Sequence, residues 1–178
     1  MNNIRFQFYP KNKKLPKHLE TLILEGFKKN HDKISSDENT LHSNEVLSTI
    51  RSSLLKLGYK VESGKSDKQK ILMPVLFGEN GKIEKRFFPD AFSEEYKTVI
   101  EVEAGQAVEN NRFLKDFFEC CIMVDIEYCV IAARSKYSFG QKTKLTKDHY
   151  AIILKFFDTM YASGRLGIPL KGLLIIGY

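Results

Sequence analysis

The chain predicts an α/β fold, a mixed sheet with helices packed on its faces, and three observations carry that expectation. Apolar residues recur at helical spacing in four segments, short β-branched runs lie between them, and from residue 43 onward the order reads helix, three strands, helix, strand, helix, strand. A strand entered directly from a helix is how a parallel crossover unit looks in sequence. At 178 residues the chain is long enough for one domain with a real core and short for two, so residues 1–178 are expected as a single domain. The composition, 43% hydrophobic and 12% aromatic, excludes a disordered tail.

Residues 15–30, "LPKHLETLILEGFKKN", place Leu15, Leu19, Leu22, Ile23 and Phe27 on one helical face. Residues 1–40 therefore predict a helical extension packed on the core. After a polar loop, "SNEVLSTIRSSLLKLGYKVE" repeats Val46, Leu47, Ile50, Leu54 and Leu57, with Ser43 placed as N-cap and Gly58 as the stop. The segment "KILMPVLFGENGKIEKRFFPDAFS" sets two apolar runs about the turn-rich "GENG", the pattern of a β-hairpin with Asp90 just past its second strand. "KTVIEVEA" is a short strand. "AVENNRFLKDFFECCIMVD" predicts a third helix with Leu114, Phe117, Phe118 and Cys121 as its apolar stripe, and "EYCVIAARS" a strand. A basic loop, an apolar helix "DHYAIILKFFDTMYASG" and a buried-type strand "LKGLLIIGY" close the chain.

Twenty-eight Lys and Arg against 22 Asp and Glu leave a net charge of +6, which favours polyanionic partners. The excess gathers in "YPKNKKLPKH" and "ARSKYSFGQKTKLTKDH", basic and interleaved with aromatics, as phosphate-backbone contacts require. Cys120, Cys121 and Cys129 form neither a CxxC pair nor an even set, so reduced, buried thiols are expected. The four histidines are scattered and suggest no metal site. With no apolar leader and no run of about 18 apolar residues, the expected protein is cytoplasmic and has no membrane partner.

One strand carries the chemistry. Side chains alternate along a strand, so Val99, Glu101 and Glu103 share one face of "TVIEVE" while Thr98, Ile100 and Val102 share the other. Two carboxylates roughly 7 Å apart repel, and burying them costs several kcal/mol unless a cation or hydrogen-bond network compensates. An edge strand would leave both acids in water, whereas a central one calls for a divalent cation, and Asp90 adds a third carboxylate nearby.

Pro89-Asp90, a loop, a hydrophobic strand ending in Glu101 and Glu103, and a following helix with basic residues together resemble the PD-(D/E)xK nuclease superfamily. The helix, three strands, helix, strand order over roughly residues 43–133 is similar to that superfamily's restriction-endonuclease-like core. The third motif position, ordinarily Lys, is here Glu103, which matches the subgroup with E-x-E or E-x-Q. The resemblance implies that Asp90, Glu101 and the carbonyl of Val102 bind Mg²⁺, with Mn²⁺ as a substitute, a hard ion that keeps waters and shares its shell with phosphate. Glu103 would handle the attacking water. Glu45 resembles the acid that relatives project from the preceding helix, although a glutamate in a first turn also complements the helix dipole. Asn111, Arg112 and Lys115 on the following helix would reach the phosphate. The implied function is a metal-dependent DNA endonuclease with no organic cofactor, similar to type II restriction enzymes and, by analogy with their palindromic sites, a homodimer. The competing expectations are a catalytically inactive nucleic-acid-binding or assembly module, and a paired-acid sugar hydrolase, the latter disfavoured by the absence of Trp.

Overall fold

The computed structural model describes residues 4–105, 107–139 and 145–178. In chain order the elements are β1 (Arg5–Tyr9), α1 (Lys17–Thr21), α2 (His31–Ile34), α3 (Ser43–Lys56), β2 (Lys60–Val61), β3 (Met73–Phe77), β4 (Ile83–Phe87), β5 (Ala91–Ser93), β6 (Thr98–Glu103), α4 (Arg112–Ile122), β7 (Tyr128–Ala133), β8 (Tyr137–Phe139), β9 (Leu145–Lys147), α5 (His149–Ser163) and β10 (Gly172–Gly177). A π-helical stretch, Leu22–Phe27, and a 3₁₀ turn, Lys28–Asn30, link α1 to α2.

Six strands form a mixed central sheet in the order β1-β10-β7-β6-β5-β2, flanked by helices. The strands β6, β7 and β10 run parallel because each successive pair is joined across a helix, α4 or α5. The others pair antiparallel, β1 on β10, β5 on β6 and β2 on β5. The registers Glu103↔Ala133 and Gly177↔Ala133 bring the C-terminal ends of the three parallel strands level.

Both faces of the sheet are covered. On one, Ile100, Val102, Val130, Ala132, Leu174 and Ile176 pack against α3 and the N-terminal helical segment, through Leu19, Leu22, Phe27, Ile50 and Leu54. On the other, Val99, Cys129, Ile131, Leu173 and Ile175 meet α4 and α5, through Phe113, Phe117, Cys120, Ile153 and Phe157. A strand buried on both sides has no polar face, so β7 and β10 read as unbroken apolar runs. Among the described residues no helix is long and apolar enough to cross a membrane.

The structure departs from expectation in five places. The "GENG" hairpin forms, with Gly81 at φ +72°, but β3 and β4 make a separate two-stranded sheet whose residues are largely exposed. On the side of β6 away from β7 the sheet continues instead with β5 and then β2, of three and two residues, too short to leave an alternation in the sequence. Residues 1–40 contribute β1 as an edge strand as well as helix. Finally, the buried positions of α4 are Phe113, Asp116, Phe117 and Cys120, while Phe118 is 64% exposed and Leu114 and Cys121 only half-buried, so the apolar stripe lies one position earlier than predicted. The helix α3 ends as expected, with Gly58 just past its C-cap at φ +83°, but its N-cap shifts. His42 occupies the cap, and the Ser43 hydroxyl accepts from the Ala104 N–H at 3.0 Å instead.

Candidate functional site

The strand β6 is interior to the sheet, between β5 and β7, so its acids are not rinsed by water as on an edge. Glu101 is only 9% exposed, on the face covered by α4 and α5. The short length of β5 then decides what happens at the end of β6. The ladder between them runs only from Ser93↔Thr98 to Ala91↔Ile100, so the N–H of Val102 has no strand partner and donates to Asp90 Oδ2 at 2.8 Å. The N–H and C=O of a strand residue point to the same side, so the Val102 carbonyl faces Asp90 as well. The backbone of Asp90 is held in turn by Glu62, whose N–H donates to its carbonyl at 2.8 Å.

Around this point the electrostatics are those of unpaired, desolvated acids. Burial pushes the Asp90 carboxyl up to about 7, against the pull of the Val102 N–H and with Glu62 and Asp116 adding repulsion. Burial drives Glu101 well above the carboxylate range, reinforced by the charge of Asp90. Glu103 is raised by burial, opposed by Arg112, and Asp116 is raised by burial and by Glu103. Among the described residues Oε2 of Glu103 and Oδ2 of Asp116 have no hydrogen-bond partner of their own, although Asp116 is only 8% exposed and the two side chains act on each other's protons. Four carboxyl groups thus converge where β5, β6 and α4 meet, and all bind protons more readily than free acids do.

Two of these positions escape sequence reading. Asp116 carried a signal: an acid at i+3 from Phe113 and i+4 before Cys120 lies on the apolar face of α4, and a one-position error in the stripe hides it. Glu62 carried none, because only the pairing of β2 with β5 brings it to Asp90.

The remaining predicted residues divide. Arg112 is exposed, yet its charge is the strongest influence acting against the burial of Glu103. Lys115 lies on the solvent side of α4, where it pairs with Glu119 at 3.1 Å, and its charge also reaches Glu103. Asn111 caps α4 in the left-handed region, at φ 50°, and is exposed. Glu45 is not brought to the cluster. It is exposed and its Oε2 accepts from the His42 N–H at 2.7 Å, closing the first turn of α3. The groups acting most strongly on Asp90, Glu101 and Glu103 do not include it.

No family model, curated protein or solved structure matches the chain significantly. The chemistry of the site therefore rests on its own donor set. The oxygens are hard, anionic and in part without a hydrogen-bond partner, a set suited to a hard divalent cation. Among the described residues no three His, Cys, Asp or Glu side chains are already arranged as a ligand set, so the carboxylates converge without being closed around a point. The thiols offer nothing further: all three cysteines are free, with Cys120 and Cys129 buried.

The two basic segments lie at different ends of the sheet, the one at 9–18 beginning against Leu173 at the start of β10 and ending beside Thr98 at the start of β6. The segment at 133–149 folds in part as β8 and β9, and its stretch 140–144 lies outside the described residues. In the segment at 9–18, Lys11 pairs with Asp158 at 2.6 Å and Lys17 with Glu20 at 3.2 Å, while Lys13 and Lys14 are exposed.

Proposed function

We propose that the protein is a metal-dependent phosphodiesterase acting on DNA, of the restriction-endonuclease-like, PD-(D/E)xK kind with Glu in the third motif position. One observation supports the reading: Asp90, Glu101 and Glu103 converge on the end of an interior strand, around the Val102 backbone, with burial raising the proton affinity of all three carboxyl groups. A protein keeps such a costly arrangement where a cation or a proton transfer makes use of it. The order α3, β5, β6, α4, β7 around those acids supports the same assignment.

Asp90, Glu101 and the Val102 carbonyl are the groups that would hold Mg²⁺ or Mn²⁺. Once bound, such an ion lowers the pKa of a water and neutralises charge on a phosphoryl oxygen. Glu103 takes the proton from the attacking water. Its proton affinity, raised by burial, suits a base, while the Arg112 charge and a hydrogen bond shared with Asp116 act against that rise. Arg112, with Asn111 and Lys115 beside it on the first turn of α4, offsets the phosphate charge. The net charge of +6 steers the polyanion, and action at palindromic sites would make the working form a homodimer.

The engagement of Lys115 by Glu119, together with a ligand set that is not closed, favours a second reading: a nucleic-acid-binding or assembly module that retained the fold without the reaction. Supercoiled plasmid separates the two. The nuclease reading expects nicked and linear products with Mg²⁺ or Mn²⁺ and none with chelator. Retention of plasmid without cleavage under any divalent ion overturns it in favour of the module. In either case the affinity for duplex DNA falls steeply with salt, and a flat response between low and moderate salt would remove nucleic acid as the partner altogether.

A further inference from the structure

The strand ends that carry the acids also border a cleft of opposite charge. Its volume is about 600 Å³, and its lining includes Ser43, Ala104, Gly105, Arg112, Arg134 and Tyr137. Ala104 and Gly105 follow Glu103 directly, so the cleft begins where the carboxylate cluster ends. Among the described residues no Asp or Glu lines it, and two arginines do.

Arg134 is the unusual member. It sits one residue beyond β7 and is only 7% exposed. Its guanidinium donates to the Leu41 carbonyl, and among the described residues no carboxylate stands within ion-pair distance of either Arg134 or Arg112. A buried guanidinium that meets only neutral groups, the Leu41 carbonyl and the Tyr178 hydroxyl, retains much of its desolvation cost and has donors to spare. An anion in the cleft offsets that cost, and the planar fork of arginine fits phosphate oxygens in pairs. A volume of this size lies within the range of roughly 300–1,000 Å³ that small-ligand sites occupy, ample for one nucleotide unit.

We infer that this cleft seats the phosphate adjacent to the scissile one, with Arg134 and Arg112 as its cationic clamp. The inference rests on the phosphodiesterase reading for the position of the scissile group, while the clamp itself is a binding property that requires no cleavage. The strand ends would then hold two neighbouring phosphates by different means, one over the carboxylates through a cation and one over the arginines directly.

The test compares thymidine 3′,5′-bisphosphate with thymidine 5′-monophosphate by calorimetric titration in Ca²⁺. The bisphosphate is expected to bind about tenfold more tightly, the scale of one charge-assisted contact. Arg134→Met and Arg112→Gln each bring the ratio of the two affinities toward one, and Arg134→Lys restores part of it. Because Arg134 is buried and holds Leu41, its variants are accompanied by melting curves; Arg112 is exposed, so Arg112→Gln stands as the independent arm should Arg134→Met fail to fold. A bisphosphate with no advantage, or an advantage that survives Arg112→Gln, overturns the clamp. Plasmid cleavage is scored in parallel. Cleavage without a bisphosphate preference refutes the clamp and leaves the nuclease reading standing. An arginine-dependent preference without cleavage upholds the clamp and refutes the nuclease.

Discussion

The two ends of one sheet treat their acids in opposite ways. At the C-terminal end of the parallel strands, Asp90, Glu101, Glu103 and Asp116 are desolvated and repel one another, and every one of them has its proton affinity raised. At the other end, just before β7, Glu127 is gripped by Lys171 at 2.7 Å and Lys97 at 3.6 Å, and the Lys171 ammonium holds its carboxyl below the usual range. The difference is one of backbone supply. Lys97, Glu127 and Lys171 meet on short connections entering the strands, where lysines reach an acid from water without burying charge. The other end is roofed by α4, which contributes Asp116 to the inner side and keeps Lys115 outside. One end offsets its acid with lysines; the other leaves its acids desolvated.

The largest expected effect comes from Glu101. Glu101→Gln keeps the shape of the side chain while removing the ionisable group, so Mg²⁺-dependent cleavage is lost while stability in chelator increases. At pH 8 the melting midpoint rises by about 5 °C, on a scale of roughly 2–4 °C per kcal/mol for a domain of this size. Toward pH 5 the raised proton affinity of Glu101 costs the fold less, so the midpoint moves less. A lower midpoint at pH 8 would mean that Glu101 stabilises the sheet as Glu127 does, and the contrast would collapse.

The pH dependence of the parent follows in size. A carboxyl with a folded pKa raised above its unfolded value makes the native state bind more protons in between, so stability falls as pH rises through that window. For Asp90 the window runs from about pH 4, the ordinary aspartate value, to its raised value of about 7. In chelator the midpoint therefore declines from pH 5 to pH 8, and the double substitution Asp90→Asn, Glu101→Gln flattens the decline. Added Mg²⁺ restores more stability at pH 8 than at pH 6, because it competes with fewer protons. An upward slope over this range in the parent would contradict the cluster.

Glu103 and Asp116 sharpen the comparison within the acidic end. Glu103→Gln reduces the cleavage rate by about 10²–10⁴, the range for a lost general base, while Mg²⁺ affinity measured by titration changes little. Equal losses of rate and affinity would make Glu103 a ligand instead. Asp116→Ala removes the hydrogen-bond partner that holds the Glu103 proton affinity down, so the acid limb of the pH–rate profile moves to higher pH. The smallest effect belongs to the opposite end. Glu127→Gln lowers the midpoint by about 1–2 °C at low salt and by less at high salt. Its sign work is the reverse of the cluster's: with a lowered folded pKa, the contribution of Glu127 is present above its unfolded value and fades only as pH falls below it.

Much of this was legible in the chain. The helical faces of residues 15–30 and 43–57 and the strand at 97–104 follow from apolar period alone, because each buries one stripe or runs through the core. The alternation that sets Glu101 and Glu103 opposite Ile100 and Val102 is also a purely local property, and Asp90 stands beside them because antiparallel pairing follows from a short connection. Less could be read of β5, β2 and β1, whose few residues are stabilised by neighbours distant in sequence. The "GENG" hairpin shows the converse: strong local turn chemistry makes a hairpin, but it does not decide whether the hairpin joins the sheet.

By itself, then, the sequence determined which segments become helix or strand and which face of β6 carries acid, since both depend on backbone geometry repeated every 3.6 or 2 residues. Only the tertiary structure decided that this face is covered. Whether two glutamates on a strand are washed by water or sealed under a helix depends on where β6 falls in the sheet order and on the rotation of α4 that turns Asp116 inward. Those are outcomes of packing between segments far apart in the chain, and they are also what raises the carboxyl groups, because the cost of a charge is set by its surroundings. The same packing separates Glu45, spent on capping α3, from Glu62, which the pairing of β2 with β5 brings to Asp90.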